Sequence, residues 1–382
     1  MNDQDGRPTG LGWPATAPST PAASGLGWPG ETDAEPRPDT ASAGIGEDAD
    51  EDPSADVSRE TPASPWHRLG DLSSAPSASS FLAGRDLRDD SDDSLPIGRE
   101  AAAAVRSARL LRQPLPRPER TRVIVVANQK GGVGKTTSAV NIAAALALHR
   151  SRVLLVDMDP QGNASTALGL VHHGDTPSTY DVLVDGLALA DAVQECPDVP
   201  GLLGVPSTID LAGADVELFS RPGRELLLRE SLAAYLQAAD VEYVIIDCPP
   251  TLGLLTVNAL AAGLEVLIPI QCEYYALEGL SQLLTTIDMV RSGLNPALSV
   301  SNVLLTMYDG RTRLAGEVAT EVRAHFGTSV LPTAVPRSVR LSEAPGFAQT
   351  ALTYAPGSSG ALSYLEAARD IARQNEAERE SA

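Results

Sequence analysis

Cysteine is scarce in this 382-residue chain: Cys196, Cys248 and Cys272 are all there is. They are scattered, form no Cys-x-x-Cys pair and have no histidine close by. That excludes a disulfide framework and a cysteine–histidine metal site, and the three read as reduced, mostly buried cytosolic thiols. Long apolar runs are missing as well. None approaches 18 residues, so no helix is expected to span a membrane. The amino terminus lacks the cationic and apolar segments of a signal peptide, so export is not expected. Positive charge is also short, with 29 Lys and Arg against 50 Asp and Glu, a net charge of −21. Such a chain is soluble and self-repelling. Any contact with nucleic acid has to come from a local basic patch working against the overall field.

Branched apolar residues are few in residues 1–117, which are rich in Pro, Gly, Ser, Ala, Asp and Glu. A segment of this kind buries too little to offset the entropy of ordering, so it reads as a disordered tail ahead of a folded domain at 118–382. Glu47–Asp52 and Asp89–Asp93 are acidic clusters expected to stay solvated. Gly10-Leu11-Gly12-Trp13-Pro14 returns as Gly25-Leu26-Gly27-Trp28-Pro29, and all three tryptophans (Trp13, Trp28, Trp66) lie in the tail. Aromatic anchors often carry interface energy, so a partner-docking role stands beside plain low-complexity repetition. Arg99–Arg112 is made of strong helix formers. It predicts a short helix whose arginines could touch DNA or the acidic core, with solvated linker the favoured reading, ended by Pro114, Pro116 and Pro118.

From Thr121 the pattern alternates. Val123–Ala127, Arg152–Asp157, Val241–Asp247, Glu265–Ile270 and Val300–Thr306 are short apolar runs. Arg224–Ala238, Thr251–Ala261, Leu277–Ser292, Arg313–Phe326 and Gly360–Arg373 are helical stretches. Nearly continuous apolar strands between helices predict an α/β fold with a parallel sheet covered by helices on both faces. After Asn375 the chain is expected to fray.

The first strand runs through Lys130-Gly131-Gly132-Val133-Gly134-Lys135-Thr136-Thr137 into a helix. Strand, glycine loop and helix form the setting of a phosphate loop. Glycines let backbone N–H groups converge on a polyphosphate, and the helix N-terminus adds partial positive charge. Lys135 would reach the β- and γ-phosphates, and the Thr136 hydroxyl would bind Mg²⁺. The plain pattern wants glycine where this chain has Gln129, and a second lysine, Lys130, stands at the start of the loop. Two more strands end in acids. Asp157-Met158-Asp159-Pro160-Gln161-Gly162-Asn163 follows one, and Asp247-Cys248-Pro249-Pro250 the other. Ligands of open parallel sheets bind at such strand ends. Asp247 would hold Mg²⁺, while Asp157 and Asp159 share one side of an extended strand end, one supporting the metal and the other the attacking water.

Ala127–Thr137, Val156–Ala164, Ile246–Pro250, Leu305–Thr312 and Pro336–Pro345 together resemble the ParA/Soj family of chromosome-partitioning ATPases. That family belongs to the deviant Walker A group of P-loop NTPases. The resemblance covers residues 121 to about 374 and leaves the tail without counterpart. It implies an ATP-sandwich homodimer in which Lys130 crosses to the partner subunit's phosphates, neutralising transition-state charge only once assembled. It implies that Asp159 orients the hydrolytic water and that Gly131 leaves room for dimer closure. It also implies that Arg311 and Arg340 contact double-stranded DNA nonspecifically, through phosphates. A ParB-like centromere-binding protein would stimulate hydrolysis and release, placing the protein in the cytoplasm on the nucleoid. Gly310 and Ala355 depart from common family residues, both away from the phosphate site.

Three rivals share the loop. A MinD-type membrane-cycling ATPase needs a basic amphipathic end, but Gln374–Ala382 is acidic and polar. An iron-protein-type electron donor needs cluster cysteines that are not here. A scaffold acting through the tail on polar partners is compatible with catalysis, and measured turnover separates the two.

Overall fold

Successive residues of a strand face opposite sides of its sheet, and the apolar runs of this chain divide accordingly. Val123, Val125, Leu154, Val156, Val244 and Ile246 pack into one buried cluster; Ile124, Val126, Val153, Leu155, Tyr243 and Ile245 pack into another on the opposite face. Both faces are therefore apolar, and both are covered.

The structure, a computed structural model, describes residues 96–273 and 280–380. The expected disorder before residue 96, the tryptophan repeat and both acidic clusters lie outside the described residues. The strands are β1 (Arg122–Val126), β2 (Val153–Asp157), β3 (Gln194–Glu195), β4 (Leu202–Val205), β5 (Tyr243–Asp247), β6 (Glu265–Gln271), β7 (Ser299–Tyr308) and β8 (Val330–Pro336). They make one sheet in the order β3-β4-β2-β5-β1-β6-β7-β8. Only the β3–β4 pairing is antiparallel.

The helices are α1 (Pro96–Arg112), α2 (Lys135–Leu148), α3 (Asn163–Ala167), α4 (Leu189–Ala192), α5 (Ala214–Glu217), α6 (Leu227–Leu236), α7 (Leu254–Ala262), α8 (Leu280–Gly293), α9 (Arg313–Phe326), α10 (Val339–Glu343), α11 (Ala351–Tyr354) and α12 (Ser359–Glu380). Residues of α6, α7, α8 and α9 cover one face of the sheet, and residues of α2, α3, α11 and α12 the other. This is the helix-covered, mainly parallel sheet expected from the sequence.

Two expectations are corrected. The helix foreseen from Arg99 forms, beginning at Pro96, but its last turns are not solvated linker. Ser107 and Leu110 are buried, Leu110 within the α2–α12 cluster, and Arg106 meets Glu366 of α12 at 2.6 Å. The reason is spacing: Ala103, Ser107, Leu110 and Leu111 recur on one side of the helix and have an apolar surface to cover. The fraying expected after Asn375 is also absent, since α12 continues to Glu380. Its last residues, Glu-Ala-Glu-Arg-Glu, are mostly strong helix formers.

The docked end of α1 has a pH consequence. His149, at the end of α2, has no well-formed hydrogen bond at either ring nitrogen among the described residues. Burial together with the nearby Arg369 guanidinium holds its pKa down to about 4, against a weak opposing contact with the Gln113 backbone. Below its ordinary value of 6.5, the unfolded chain takes up a proton that the folded chain refuses. Stability from this residue is complete above that pH and declines as pH falls toward 4. Urea midpoints measured across that window should fall less steeply for His149→Gln than for the native chain.

Candidate active site

In parallel register the strands bring their carboxyl ends to one edge, and the foreseen chemistry collects there. Asp157 of β2 lies opposite Asp247 of β5, and Val126, the last residue of β1, lies opposite Asp247 on the other side. Leaving β1, Asn128 donates its amide to the Pro269 carbonyl (2.8 Å) and accepts from the Lys130 N–H (3.0 Å). The loop enters α2 at Gly134 with φ 89, in the left-handed region that glycine adopts without strain. Thr306 of β7 donates to the Val133 carbonyl at 2.8 Å and fixes the loop from the side. Sequence reasoning assigned Thr306 no role of its own; its signals are its place at the end of an apolar run and inside the family-like stretch Leu305–Thr312.

Lys135, Thr136, Asp157, Asp159 and Asp247 come together. Lys135 is buried and donates to the Lys130 carbonyl at 3.3 Å. Burial pulls its ammonium below the ordinary lysine value, against the opposing pull of Asp247 and Asp159. Asp247 is fully buried, and neither oxygen has a well-formed hydrogen bond among the described residues. Burial drives its carboxyl well above the usual range, and Asp157 adds to the rise. The Thr136 hydroxyl and Lys135 offset part of it. An orphaned buried carboxylate is costly. With the Thr136 hydroxyl it forms an oxygen donor set of the kind Mg²⁺ prefers, so the residues present fit that ion.

Asp157 is differently occupied. One oxygen accepts from the Asp159 N–H (3.1 Å), the other from the Ser165 N–H (2.8 Å) and hydroxyl (2.7 Å). Expected to support the metal shell, it also ties the loop after β2 to α3. Asp159 is nearly buried and accepts only from the Gln161 N–H (3.1 Å), its second oxygen having no hydrogen bond among the described residues.

Lys130 does not join this cluster. Its ammonium stands at the rim, 3.8 Å from Glu273, which also lies 3.6 Å from Arg337. Gly131 has open space where a Cβ would stand, and its backbone is not left-handed. Nothing within the subunit therefore demands glycine there. Beside the loop, Gly134, Thr137, Thr306, Met307, Arg337 and Tyr364 line a cavity of about 350 Å³, large enough for a small ligand such as a nucleoside.

Arg311, beyond β7, and Arg340, on α10 beyond β8, lie at the same sheet edge. Both are exposed. Arg311 is held by Asp309 through two bonds of 2.9 Å, and Arg340 by Glu343 at 2.8 Å. The Arg311 guanidinium holds the Asp309 carboxyl down to about 2.

Residues 121–300 match the family model described as an AAA domain. The chain is 50% identical over 254 residues to the chromosome partitioning protein ParA of Myxococcus xanthus, covering 66% of this chain and 89% of that protein. It is 50% identical over 251 residues to the sporulation initiation inhibitor protein Soj of Bacillus subtilis, covering 66% and 98%. Among solved structures it is similar to cobyrinic acid a,c-diamide synthase of Mycobacterium smegmatis with bound ADP and magnesium. That match has a TM-score of 0.59 and 38% identity, covering 68% of this chain and 97% of the other. MinD of Pyrococcus horikoshii with Mg-ADP, at TM-score 0.54 and 23% identity over 66% of this chain and 96% of the other, shares the fold.

Proposed function

The chain belongs to the ParA/Soj family of chromosome-partitioning ATPases, and on that footing we propose that it acts as a nucleotide-timed DNA clutch. It hydrolyses ATP with Mg²⁺. In the proposed cycle, two ATP-bound subunits close face to face, the dimer holds DNA without reading sequence, and a ParB-like centromere-binding protein stimulates hydrolysis and release. Cargo DNA then follows the receding ATPase over the nucleoid.

The observation that carries this reading is the buried, unsatisfied Asp247 beside Thr136 and Lys135, at the end of a phosphate loop. In our assignment the loop N–H groups from Gly131 to Thr137 cradle the phosphates, and Lys135 neutralises them from within the subunit. Thr136 and Asp247 hold the metal, which when bound would disperse charge on the transferring phosphoryl group. Asp157 keeps the loop after β2 in place, and Asp159 orients the attacking water. Phosphoryl transfer leaves little covalent work for a protein, so position and charge compensation are what these groups supply.

Closure of the dimer is supported by two facts. Lys130 lies at the rim rather than among the catalytic groups, within reach of a facing subunit. The vacancy at Gly131 has no use inside one subunit. Arg311 and Arg340 supply the DNA contacts, and pairing two subunits doubles them, so that nucleotide governs DNA affinity through assembly. The tail ahead of the ATPase domain, with Trp13, Trp28 and Trp66, serves a polar or scaffold partner in this reading.

The test is co-sedimentation with nonspecific DNA in ATP, ADP or no nucleotide, over a salt series. DNA should be retained with ATP and lost as salt rises. A chain that stays monomeric and ignores DNA with a nonhydrolysable ATP analogue would overturn the reading. Arg340→Glu should weaken binding by roughly tenfold on all sequences alike while nucleotide binding is kept. A loss confined to one sequence would contradict phosphate contact.

A further inference from the structure

The four arginines at the nucleotide edge are all tied down. Arg311 pairs with Asp309, Arg313 with Glu317, Arg337 with Glu273 and Arg340 with Glu343. The opposite edge of the sheet, where the parallel strands begin, is different. Arg109 and Arg112 are exposed on the end of α1. Arg120 is exposed just before β1, Arg150 between α2 and β2, and Arg373 near the described end of α12. None of these five has a carboxylate partner among the described residues.

The segments that bear them are in contact. Gln113 accepts from Arg369 of α12. His149, next to Arg150, lies near both Gln113 and Arg369, and the Arg369 guanidinium is itself crowded by Arg373. Arg122, at the start of β1, donates to the Ile371 carbonyl of α12 at 2.6 Å. The acids of this edge are largely engaged. Glu242 meets Arg117 and Arg152, Asp240 meets Arg152, Glu366 meets Arg106, and Asp370 accepts from Thr333. Glu119 is also there, and α12 ends in Glu376, Glu378, Arg379 and Glu380.

Arg150 adds an independent sign. It closes α2 with φ 69, donating its N–H to the Ala147 carbonyl. Glycine would take this helix-ending position without strain, and in this chain an arginine stands there. Backbone strain of this kind is found where a side chain has work to do.

We propose that this amino-terminal edge is a second DNA contact that takes the phosphate backbone without reading sequence. The guanidinium fork suits phosphate oxygens. An acidic polypeptide fits less well, because the large apolar side chains exposed at this edge among the described residues, Val105 on α1 and Leu264 before β6, are single residues on separate elements and not a pocket for a hydrophobic anchor. Arg109, Arg112 and Arg120 precede the family match, which begins at residue 121, so most of the contact is this chain's own addition. The inference rests on the DNA-clutch reading but uses residues on the other side of the sheet from Arg311 and Arg340.

The experiment compares the full-length native chain with Arg109→Ser/Arg112→Ser/Arg120→Ser/Arg150→Ser, and with the same four positions changed to lysine. Binding to mixed-sequence double-stranded DNA is measured in a nonhydrolysable ATP analogue over a salt series. The serine variant should lose at least about tenfold in affinity at low salt. Its log–log salt slope should become shallower by roughly one per phosphate contact removed. The lysine variant should bind nearly as the native chain does, and DNA-free ATP turnover should be unchanged in both. Native binding with an unaltered serine variant overturns this contact and leaves the clutch standing. Failure of the native chain to bind overturns both. A serine variant that keeps DNA but loses polyglutamate identifies an acidic-peptide surface and also overturns the proposal.

Discussion

Lys135→Ala should reduce ATP turnover by roughly a thousandfold or more, the scale seen when a preorganised charge is removed from a phosphoryl-transfer site. The size of the effect follows from where the ammonium sits. It is buried, with Asp247 and Asp159 the two charges that favour its ionised form. Its removal takes away the positive group facing the transferring phosphates. It also leaves fully buried Asp247 without one of the two groups that offset its charge. Nucleotide affinity should fall together with turnover, because the same contact serves ground state and transition state. Phosphate release and binding of a fluorescent ATP analogue check the two effects separately. Turnover retained within about tenfold would mean that the chemistry lies elsewhere.

Much of this site is legible in the sequence. Glycines in a loop between strand and helix, followed by acids at two more strand ends, are local signals, and the parallel register carries them to one edge. What stayed hidden depends on distant pairing. Asp157 and Asp247 are equivalent in sequence, each an acid closing an apolar run. Only the fold shows that Ser165 satisfies one and leaves the other orphaned. The same holds for strands. β4 is four residues long with a central glycine, and β8 carries Pro332 and Pro336. Proline cannot donate to a ladder, so β8 reads as loop until it is seen at the open edge of the sheet, where a donor can be spared. The docking of α1 was hidden for another reason. Its apolar stripe, Ala103, Ser107, Leu110 and Leu111, is there in the sequence, but the surface that receives it belongs mainly to α12, far along the chain.

Asp159→Ala should separate hydrolysis from assembly. Turnover is expected to drop by roughly a hundred- to a thousandfold, while ATP-dependent dimerisation and DNA retention persist. The structure explains why so drastic a change can be borne locally. The Asp159 carboxylate accepts one hydrogen bond, from Gln161 three ångströms away, whereas the course of the loop is set by Asp157. That residue holds the Asp159 backbone N–H and the start of α3, and alanine leaves both contacts in place. Asp157→Ala is the contrasting case. It strands the Ser165 N–H and hydroxyl in a fully buried setting, so it should lower the melting temperature as well as the activity. Phosphate release read beside light scattering and DNA co-sedimentation distinguishes the two. An Asp159→Ala chain that folds normally yet never pairs in ATP would assign this carboxylate to the subunit interface instead of the water.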